Sequence, residues 1–130
     1  MKTVIDAGAS RSLRVNAVLR TARGDNPLAI RIADRFHTRL CGLMLAAPLA
    51  QGHGLLLTRC TSVHTAFMRQ TIDVIYLDRH GCVIRCVAGL RPWRASAGWR
   101  TAHVLELAEG SIARYCIRPG DRLRHPDAPW

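Results

Sequence analysis

The sequence lacks the segments that direct proteins into or across a membrane. Its longest apolar stretch, residues 40–50, is 11 residues long and is interrupted by Pro48, whereas a transmembrane helix needs about 20 residues. Residues 1–20 carry charges throughout and contain no apolar core of the kind that a secretory signal peptide needs. We therefore expect a cytoplasmic protein that does not insert into a membrane.

The sequence also lacks the cysteine pattern of a disulfide-rich protein. The number of cysteines is odd and their spacing is irregular, and a cytoplasmic compartment keeps thiols reduced. We therefore predict free thiols at all five positions, which are Cys41, Cys60, Cys82, Cys86 and Cys116.

Acidic residues and lysine are scarce. Nine Asp and Glu stand against 19 Lys and Arg, which gives a net charge of +10, and Lys2 is the only lysine. The arginines are spread from Arg11 to Arg124 without a run longer than one, and no helix-turn-helix, zinc-finger or RNP pattern accompanies them. Such a charge gives non-specific affinity for polyanions at low salt, so an anionic polymer such as nucleic acid is one candidate partner.

The composition is otherwise typical of one soluble globular domain. The 130 residues are 48% hydrophobic and 22% charged, and a chain of this length can bury its own core without a disulfide or a metal. We predict a single domain over residues 1–130 and expect a monomer. Within it, we predict an N-terminal strand at residues 13–19 and a loosely ordered tail at residues 124–130.

Two strands and a helix are predicted in the first part of the chain. Residues 13–19 alternate, residues 22–27 are rich in turn formers, and residues 28–33 continue as a strand. Asp34 has the character of a helix N-cap, and the helix is predicted to end at Pro48. Its buried stripe consists of Phe36, Leu40, Leu43 and Met44.

The strongest predicted strand is residues 72–78, which are rich in β-branched and aromatic residues. It is predicted to pair with residues 82–88 through a turn that ends at Gly81, with that glycine in the left-handed conformation. The other predicted elements are strands at 54–59, 102–107 and near Leu123, a loop at 91–100 and a helix at 109–117. This pattern predicts an α+β domain, built on a mainly antiparallel twisted sheet or partial β-barrel with two short helices.

Several short motifs follow one another in a set order along the chain. They are Gly42-Leu43-Met44, residues 54–57, residues 60–65, Met68-Arg69, residues 72–78, residues 104–107 with Gly110, and Gly120-Asp121. In this order, over residues 28–123, they resemble the domain of unknown function 192, an uncharacterised conserved family of bacteria and archaea. The segment at residues 60–65 is similar to that of the subgroup with a Cys-x-Ser-Val-His-Thr motif.

The resemblance implies a fold and a biological context rather than an activity. The fold is a compact, β-rich domain with a twisted antiparallel sheet or partial barrel flanked by short helices. The family has no established catalytic activity. Members of the subgroup often accompany pilus-assembly or secretion genes, which implies a link to such systems.

The densest group of reactive side chains is Cys60, Ser62, His64 and Asp73. A Cys60/His64 pair, oriented by Asp73 or Ser62, would indicate a hydrolase-like enzyme. In an extended segment, however, Cys60 and His64 lie about 13 Å apart, so only a turn would bring them together. The alternatives are a ligand or partner pocket at this segment and a purely structural role.

Two further features offer candidate ligand contacts. Asp73 opens an apolar strand, where a carboxylate has to be paired; it could anchor a ligand, act as a base, pair with an arginine or accept N–H bonds from the turn at 68–71. Trp93 and Trp99 flank a loop and form either a stacking surface for a ligand or a cap on one end of the barrel. The predicted ligand-binding residues are Cys60, Ser62, His64, Thr65, Met68, Asp73 and Trp93.

Metal binding and the remaining carboxylates have simpler interpretations. Cys60-x3-His64 and Cys82-x3-Cys86 could each supply two zinc ligands, but neither has the tight Cys-x2-Cys spacing, and on a strand the second pair is about 13 Å apart. We predict no metal and no cofactor. Glu106 and Asp121 are expected at the surface as ion-pair partners for the excess of arginine.

Three functions remain open. The residues favour a non-enzymatic accessory module that binds a ligand or a partner, with its site where residues 60–65 and 68–73 approach the loop at 93–99. The second possibility is a hydrolase-like enzyme that uses Cys60 and His64. The third is a binder of anionic polymers through the scattered arginines.

Overall fold

The computed structural model describes residues 14–33, 49–64 and 70–130. These residues form nine β-strands and one short α-helix. In chain order, the elements are β1 (Ala17–Thr21), β2 (Gly24–Ala33), β3 (His53–Thr58), β4 (Ser62–His64), β5 (Ile72–Leu77), β6 (Val83–Leu90), β7 (Ala95–Ala97), β8 (His103–Ala108), α1 (Ser111–Tyr115) and β9 (Arg122–Arg124).

Seven of the strands form one sheet, in the order β6-β5-β8-β3-β2-β1-β9. All neighbouring strands are antiparallel except β2 and β3, which run parallel. The two remaining strands, β4 and β7, pair with each other as an antiparallel ribbon. This pair is called the ribbon below.

The sheet curls into a half-barrel. Cys82, directly before β6, forms a bridge with Arg122 of β9, although β6 and β9 are the two edges of the sheet. The Val83 N–H also donates to the Asp121 carbonyl oxygen at 2.7 Å. The two edge strands therefore meet at one corner of the half-barrel.

The curl gives the sheet an inner and an outer apolar face. Successive residues of a strand point to opposite faces, so β5 and β8 supply side chains to both, and all six residues of each strand are buried. The inner cluster is formed by Ala17, Leu19, Leu28, Ile30, Leu56, Ile75, Leu77, Val83, Leu105, Leu107, Ile117 and Leu123. The outer cluster is formed by Ala33, Leu55, Leu57, Ile72, Val74, Tyr76, Leu90 and Val104.

The predicted hairpin between β5 and β6 is confirmed. β5 covers residues 72–77, lies between β6 and β8, and pairs with β6 in the expected antiparallel sense. Gly81, in the connecting turn, has a φ of 82°. The strands predicted at 54–59, 102–107 and near Leu123 are also present within one residue or two.

Two segments predicted as turn or loop contain strands. β2 begins at Gly24 and includes Pro27, so the turn predicted at 22–27 is shorter. β2 meets β3 only from Ala29 onwards, so Pro27 has only β1 beside it among the described residues, and proline is tolerated at such an edge. The loop predicted at 91–100 contains β7, whose Ala-Ser-Ala sequence has little strand propensity.

The described residues are mostly sheet. The partial-barrel prediction is confirmed, whereas the two-helix α+β description is not, since these residues contain one five-residue helix, α1, inside the helix predicted at 109–117. The helix predicted between Asp34 and Pro48 lies outside the described residues. The first strand spans residues 17–21 rather than 13–19. Within the described ranges, no helix has the length and hydropathy needed to cross a membrane.

Residues 124–130, predicted as a loosely ordered tail, begin in β9 and then contact the sheet. Trp130 packs against the inner cluster, and its ring centroid lies 5.1 Å from that of His103. His125 places Nε2 3.2 Å from the Ile30 carbonyl oxygen. The organisation of residues 1–130 as a single domain stays a prediction.

Candidate functional site

The ribbon brings together two of the segments that the sequence analysis singled out. Ser62 pairs with Ala97, and His64 pairs with Ala95. Residues 60–64 therefore lie beside the loop that carries Trp93 and Trp99. Two other predicted site residues, Thr65 and Met68, lie outside the described residues.

Cys60 is held by hydrogen bonds from both its backbone and its side chain. Its N–H donates to the Ala102 carbonyl oxygen at 3.0 Å, and its thiol donates to the Ser62 carbonyl oxygen at 2.8 Å. The half-buried side chain packs against the outer cluster. The thiol proton therefore points to a carbonyl oxygen, which cannot remove it, rather than to a general base.

Tyr76 anchors the ribbon to the outer face of the sheet. Its side chain is buried, and its hydroxyl oxygen lies 2.5 Å from Ser96 Oγ in β7. Gly98 packs so closely on the ring that a Cβ there would lie 2.6 Å from Tyr76 Cδ1. Burial raises the pKa of Tyr76, while the Ser96 hydrogen bond and the Arg85 guanidinium, 5.7 Å from the ring centroid, oppose that rise. The phenol is therefore neutral at physiological pH and holds the ribbon through packing and one hydrogen bond.

Asp73 lies far from Cys60. On the sheet, Asp73 is opposite Leu107 and Leu77 is opposite His103, and Cys60 follows β3 at the His103 end. Four residues of strand, about 13 Å, separate these two positions. Asp73 also shares its face with Leu77, on the inner side, whereas Cys60 packs against the outer cluster. The structure therefore does not assemble a Cys60–Asp73 pair.

Both carboxylate oxygens of Asp73 accept backbone N–H groups. Oδ1 accepts from Gly89 at 3.0 Å, and Oδ2 accepts from Ile112 at 2.9 Å. Gly89 has a φ of 69° and lies where the β5–β6 register shifts, which is the geometry of a β-bulge. Ile112 is the second residue of α1, where N–H groups have no partner within the helix. Asp73 thus links its own strand, β5, to the bulge of β6 and to the start of α1. These partners differ from the turn at 68–71 that was one of the predicted possibilities.

Glu106 is buried, contrary to the expectation of a surface ion pair. It is 1% exposed and lies between Leu55 of β3 and Val74 of β5, within the outer face. Its Oε1 has no hydrogen-bond partner among the residues that the structure describes. Burial raises the pKa of Glu106 to about 8, so the carboxyl is mostly protonated at neutral pH. The Asp121 Oδ2 accepts the Arg118 backbone N–H at 2.7 Å, and among the described residues Asp121 forms no ion pair.

His103 is a second buried titratable residue that the sequence analysis did not single out. It is 5% exposed, and its Nδ1 accepts the Arg59 N–H at 3.0 Å. Burial lowers the pKa of His103, the Arg59 guanidinium lowers it further, and Asp78 opposes this shift. Arg59 also lines a cleft of about 150 Å³ with Ile32, Thr58, Asp127 and Pro129, which is smaller than a usual ligand pocket of about 300–1,000 Å³.

The loops on either side of β7 expose both aromatic and basic side chains. Trp99 is 85% exposed and Trp93 is 61% exposed, so neither caps the end of the barrel. The Arg100 guanidinium lies over the Trp99 ring, with Cζ 5.1 Å from the centroid. Residues 79–105 contain no acidic residue and five arginines, all of them exposed: Arg79, Arg85, Arg91, Arg94 and Arg100.

The cysteines offer no metal centre in the part of the chain that is described. No group of three or more His, Cys, Asp or Glu that could hold a metal ion occurs among these residues. Four cysteines are free, namely Cys60, Cys82, Cys86 and Cys116. Burial raises the pKa of Cys86 to about 11. The expectation that the chain binds no metal or cofactor stays a prediction.

Solved structures of other proteins share this fold. A candidate transcription regulator from Sinorhizobium meliloti 1021 is 27% identical and superposes with a TM-score of 0.76 over 85% of this chain and 92% of that one. A protein of unknown function from Novosphingobium aromaticivorans DSM 12444 superposes with a TM-score of 0.74 over 84% of this chain and 83% of that one. Its sequence identity is 22%, so this second likeness concerns the fold alone.

Sequence comparisons point to one family. A UPF0127 protein of Pyrococcus furiosus is 36% identical over 100 residues, which cover 74% of this chain and 85% of the relative. A UPF0127 protein of Pyrococcus abyssi is 36% identical over 101 residues, covering 72% and 83%. The family model DUF192, described as an uncharacterized ACR, matches residues 18–125. The resemblance found in the motifs is thereby confirmed, and the chain belongs to the DUF192 family, whose curated relatives carry the name UPF0127.

Proposed function

We propose that this chain is a non-enzymatic binding module for an anionic partner, and that the partner binds the ribbon and its adjoining loops. The observation that carries this proposal is the distribution of charge. Residues 79–105 and residues 35–72 contain no acidic residue. β4 comes from one of these stretches and β7 from the other, and the two strands pair. The ribbon is therefore a meeting point of two acid-free, arginine-containing segments.

Charge is arranged differently elsewhere in the described residues. In the β1–β2 hairpin, Arg20 Nε lies 2.9 Å from Asp25 Oδ1, so a basic group has an acidic neighbour. Near the ribbon, Arg85 instead donates to the Ala97 carbonyl oxygen at 2.7 Å, and the Arg100 guanidinium lies over the Trp99 ring. A carbonyl oxygen or an aromatic ring does not neutralise the charge of Arg85 or Arg100, and a basic patch attracts anions over a distance of about one Debye length.

The enzymatic alternative has less support. The Cys60 thiol donates to a carbonyl oxygen, and both oxygens of Asp73 are bound to backbone N–H groups at the other end of the sheet. A hydrolase-like use of Cys60 and His64 stays an alternative. It predicts unusually fast alkylation of Cys60 at neutral pH, which mass spectrometry of the labelled protein would detect.

A polyanion of uniform charge tests the proposed surface. We expect the triple variant Arg91→Gln/Arg94→Gln/Arg100→Gln to bind fluorescein-labelled heparin at least tenfold more weakly than the wild type in 100 mM salt. The slope of log K against log salt should fall by about two to three units, because fewer counterions are released on binding. Fluorescence anisotropy at several salt concentrations measures both quantities.

A second triple variant separates this surface from net charge. Arg118, Arg122 and Arg124 are exposed and lie on the segment that includes β9. Changing them to glutamine removes the same three charges, and we expect less than a twofold loss of heparin affinity. Equal losses in the two triple variants would show that only the overall charge of +10 matters, and the proposed surface would then be wrong.

Nucleic acid is one anionic partner that agrees with the comparisons, since a relative of 27% identity is described as a candidate transcription regulator. The link to pilus or secretion systems and the monomeric state stay predictions. Neither is needed for the proposal above.

A further inference from the structure

We infer that the anionic partner is a single-stranded nucleic acid, whose unpaired bases stack on Trp93 and Trp99. This inference rests on the proposed function, because it names the partner of the same surface. Its evidence is separate, however: the proposed function depends on arginines, and this inference depends on the two indoles.

The exposure of the two tryptophans is unusual for the described part of this protein. The large hydrophobic side chains that are exposed there are Val15, Trp93 and Trp99, and Trp99 is the most exposed of them at 85%. An exposed indole contributes little to the core, and exposed aromatic groups mark interaction sites. The third tryptophan, Trp130, packs against the inner cluster, which is the usual place for such a side chain.

After Arg94, the segment between the two indoles carries only small side chains. Ala95, Ser96, Ala97 and Gly98 fill this interval, and Gly98 packs down onto the Tyr76 ring. Apart from Arg94, no residue between Trp93 and Trp99 in the sequence has a bulky side chain. β7 therefore presents no bulky side chain that would keep a flat base from the exposed Trp99 ring.

Each tryptophan is followed directly by an arginine, at Trp93-Arg94 and at Trp99-Arg100. The Arg100 guanidinium lies over the Trp99 ring, 5.1 Å from its centroid, so one face of the indole has a positive charge beside it. A base that stacks on the open face brings its phosphate near this charge. Proteins that bind single strands combine the same two elements, aromatic platforms for bases and cations for the backbone.

Two other anionic partners fit these residues less well. The bases of a duplex are already stacked on one another, so exposed indoles add nothing to duplex binding unless the strands separate. An acidic protein could use Trp and Arg as interface anchors, but such anchors lie in a well-packed apolar centre, and here each indole is followed by an arginine in the sequence. The single strand is the partner that uses both the ring faces and the charges.

The inference is tested with labelled oligonucleotides and a double variant. We expect Trp93→Leu/Trp99→Leu to reduce the affinity for fluorescein-dT20 and for fluorescein-U20 at least tenfold, while its affinity for heparin changes less than twofold. Leucine keeps an apolar side chain and the charge but removes the stacking face. The two strands distinguish DNA from RNA, and quenching of tryptophan fluorescence by unlabelled dT20 gives an independent measure of stacking.

A Val15→Ala variant is the matched control, since Val15 is exposed at 63% and lies on another part of the chain; it should bind both oligonucleotides like the wild type. Far-ultraviolet circular dichroism checks that each variant is folded. Binding of dT20 and U20 that is no tighter than binding of a 20-base-pair duplex, or that is unchanged in the double tryptophan variant, would overturn the inference and leave the proposed function intact.

Polyglutamate is titrated as a model of an acidic protein. If the double tryptophan variant lost affinity for polyglutamate alone, the inference would also be overturned, because the result would indicate an acidic protein as the partner. If the triple variant at Arg91, Arg94 and Arg100 bound every polyanion like the wild type, the proposed function itself would fail. The two failures are therefore distinguishable in one set of titrations.

Discussion

Two carboxyl groups are buried in adjacent strands of the same sheet, and their surroundings differ. Asp73 of β5 and Glu106 of β8 are each 1% exposed. Asp73, on the inner face, accepts two backbone N–H groups, from Gly89 and Ile112. Glu106, on the outer face, lies between Leu55 and Val74, and its Oε1 has no partner among the described residues.

The comparison shows that burial alone does not decide what a carboxyl group does for the fold. Asp73 satisfies donors that would otherwise be buried without a partner, so it stabilises the protein. Glu106 loses its hydration, and its Oε1 gains no hydrogen bond from the described residues in exchange. Burial therefore keeps the carboxyl protonated up to a pH of about 8. A group that weakens the fold in this way is a candidate for function. Variants of these two residues sharpen the difference, and a third variant tests the ribbon that packs on the outer face.

The largest effect is expected at Asp73. Asp73→Ala should lower the free energy of unfolding by about 4–5 kcal/mol at pH 7, because two buried N–H groups lose a charged acceptor. Urea denaturation followed by circular dichroism measures this change. Asp73→Asn, which keeps one acceptor oxygen, should lose less, and the exposed Asp127→Ala should behave like the wild type. A loss of less than about 1 kcal/mol in Asp73→Ala would mean that these hydrogen bonds do not hold β6 and α1 in place.

A smaller, pH-dependent effect is expected at Glu106. In the unfolded chain this carboxyl releases its proton near its usual pKa of 4.5, whereas in the folded protein it does so near 8. Between these values a rising pH favours the unfolded state, so the contribution of Glu106 to the free energy of unfolding is most favourable below pH 4.5 and falls up to about pH 8.

The variant Glu106→Gln has no proton to lose, so it should escape this destabilisation. We expect it to gain about 4 kcal/mol over the wild type at pH 8, relative to their difference at pH 4. Urea denaturation at pH 4, 6 and 8 gives the two profiles, with the exposed Glu109→Gln as the control. Parallel profiles of the wild type and Glu106→Gln would show that Glu106 is charged in the folded protein.

The smallest of the three effects concerns the ribbon that covers part of the outer face. Gly98→Ala should lower the free energy of unfolding by about 2 kcal/mol, because the added Cβ would lie 2.2 Å from Thr101 Oγ1 and 2.6 Å from Tyr76 Cδ1. Thermal denaturation of Gly98→Ala and of the wild type measures this loss of stability. Ala97→Ser, at the preceding exposed position, should stay within about 0.5 kcal/mol of the wild type. If both variants melted alike, the ribbon would not be packed on Tyr76.

The sequence predicted the centre of the fold because local signals agree there. β5 is rich in β-branched residues and is followed by a glycine turn, and its pairing with β6 came out as expected. The partners of Asp73 could not be predicted in this way. Gly89 and Ile112 are 16 and 39 residues away along the chain, and one of them depends on a β-bulge that shifts the register by one residue.

Glu106 was misplaced for a different physical reason. In β8, Glu106 lies on the face opposite Leu105 and Leu107, and an antiparallel sheet often has solvent on one face. Here the second face is also covered, because an outer cluster lies over it. Of the predicted site residues, the structure places Cys60, Ser62 and the Trp93 loop together and leaves Asp73 at the other end of the sheet. The alternation of apolar and polar residues along one strand does not indicate which other segments cover each face of the sheet.

The pairing of β1 with β9 has a consequence for how the protein is made. β1 pairs with β9, so that Leu19 is opposite Leu123, 104 residues further along the chain. Contacts between such distant segments form late, because closing a long loop costs entropy before any contact repays it. During synthesis, one edge of β1 must therefore wait for residues 122–124 to leave the ribosome. Until then the growing chain carries an unpaired strand edge that a chaperone or a neighbouring chain could occupy.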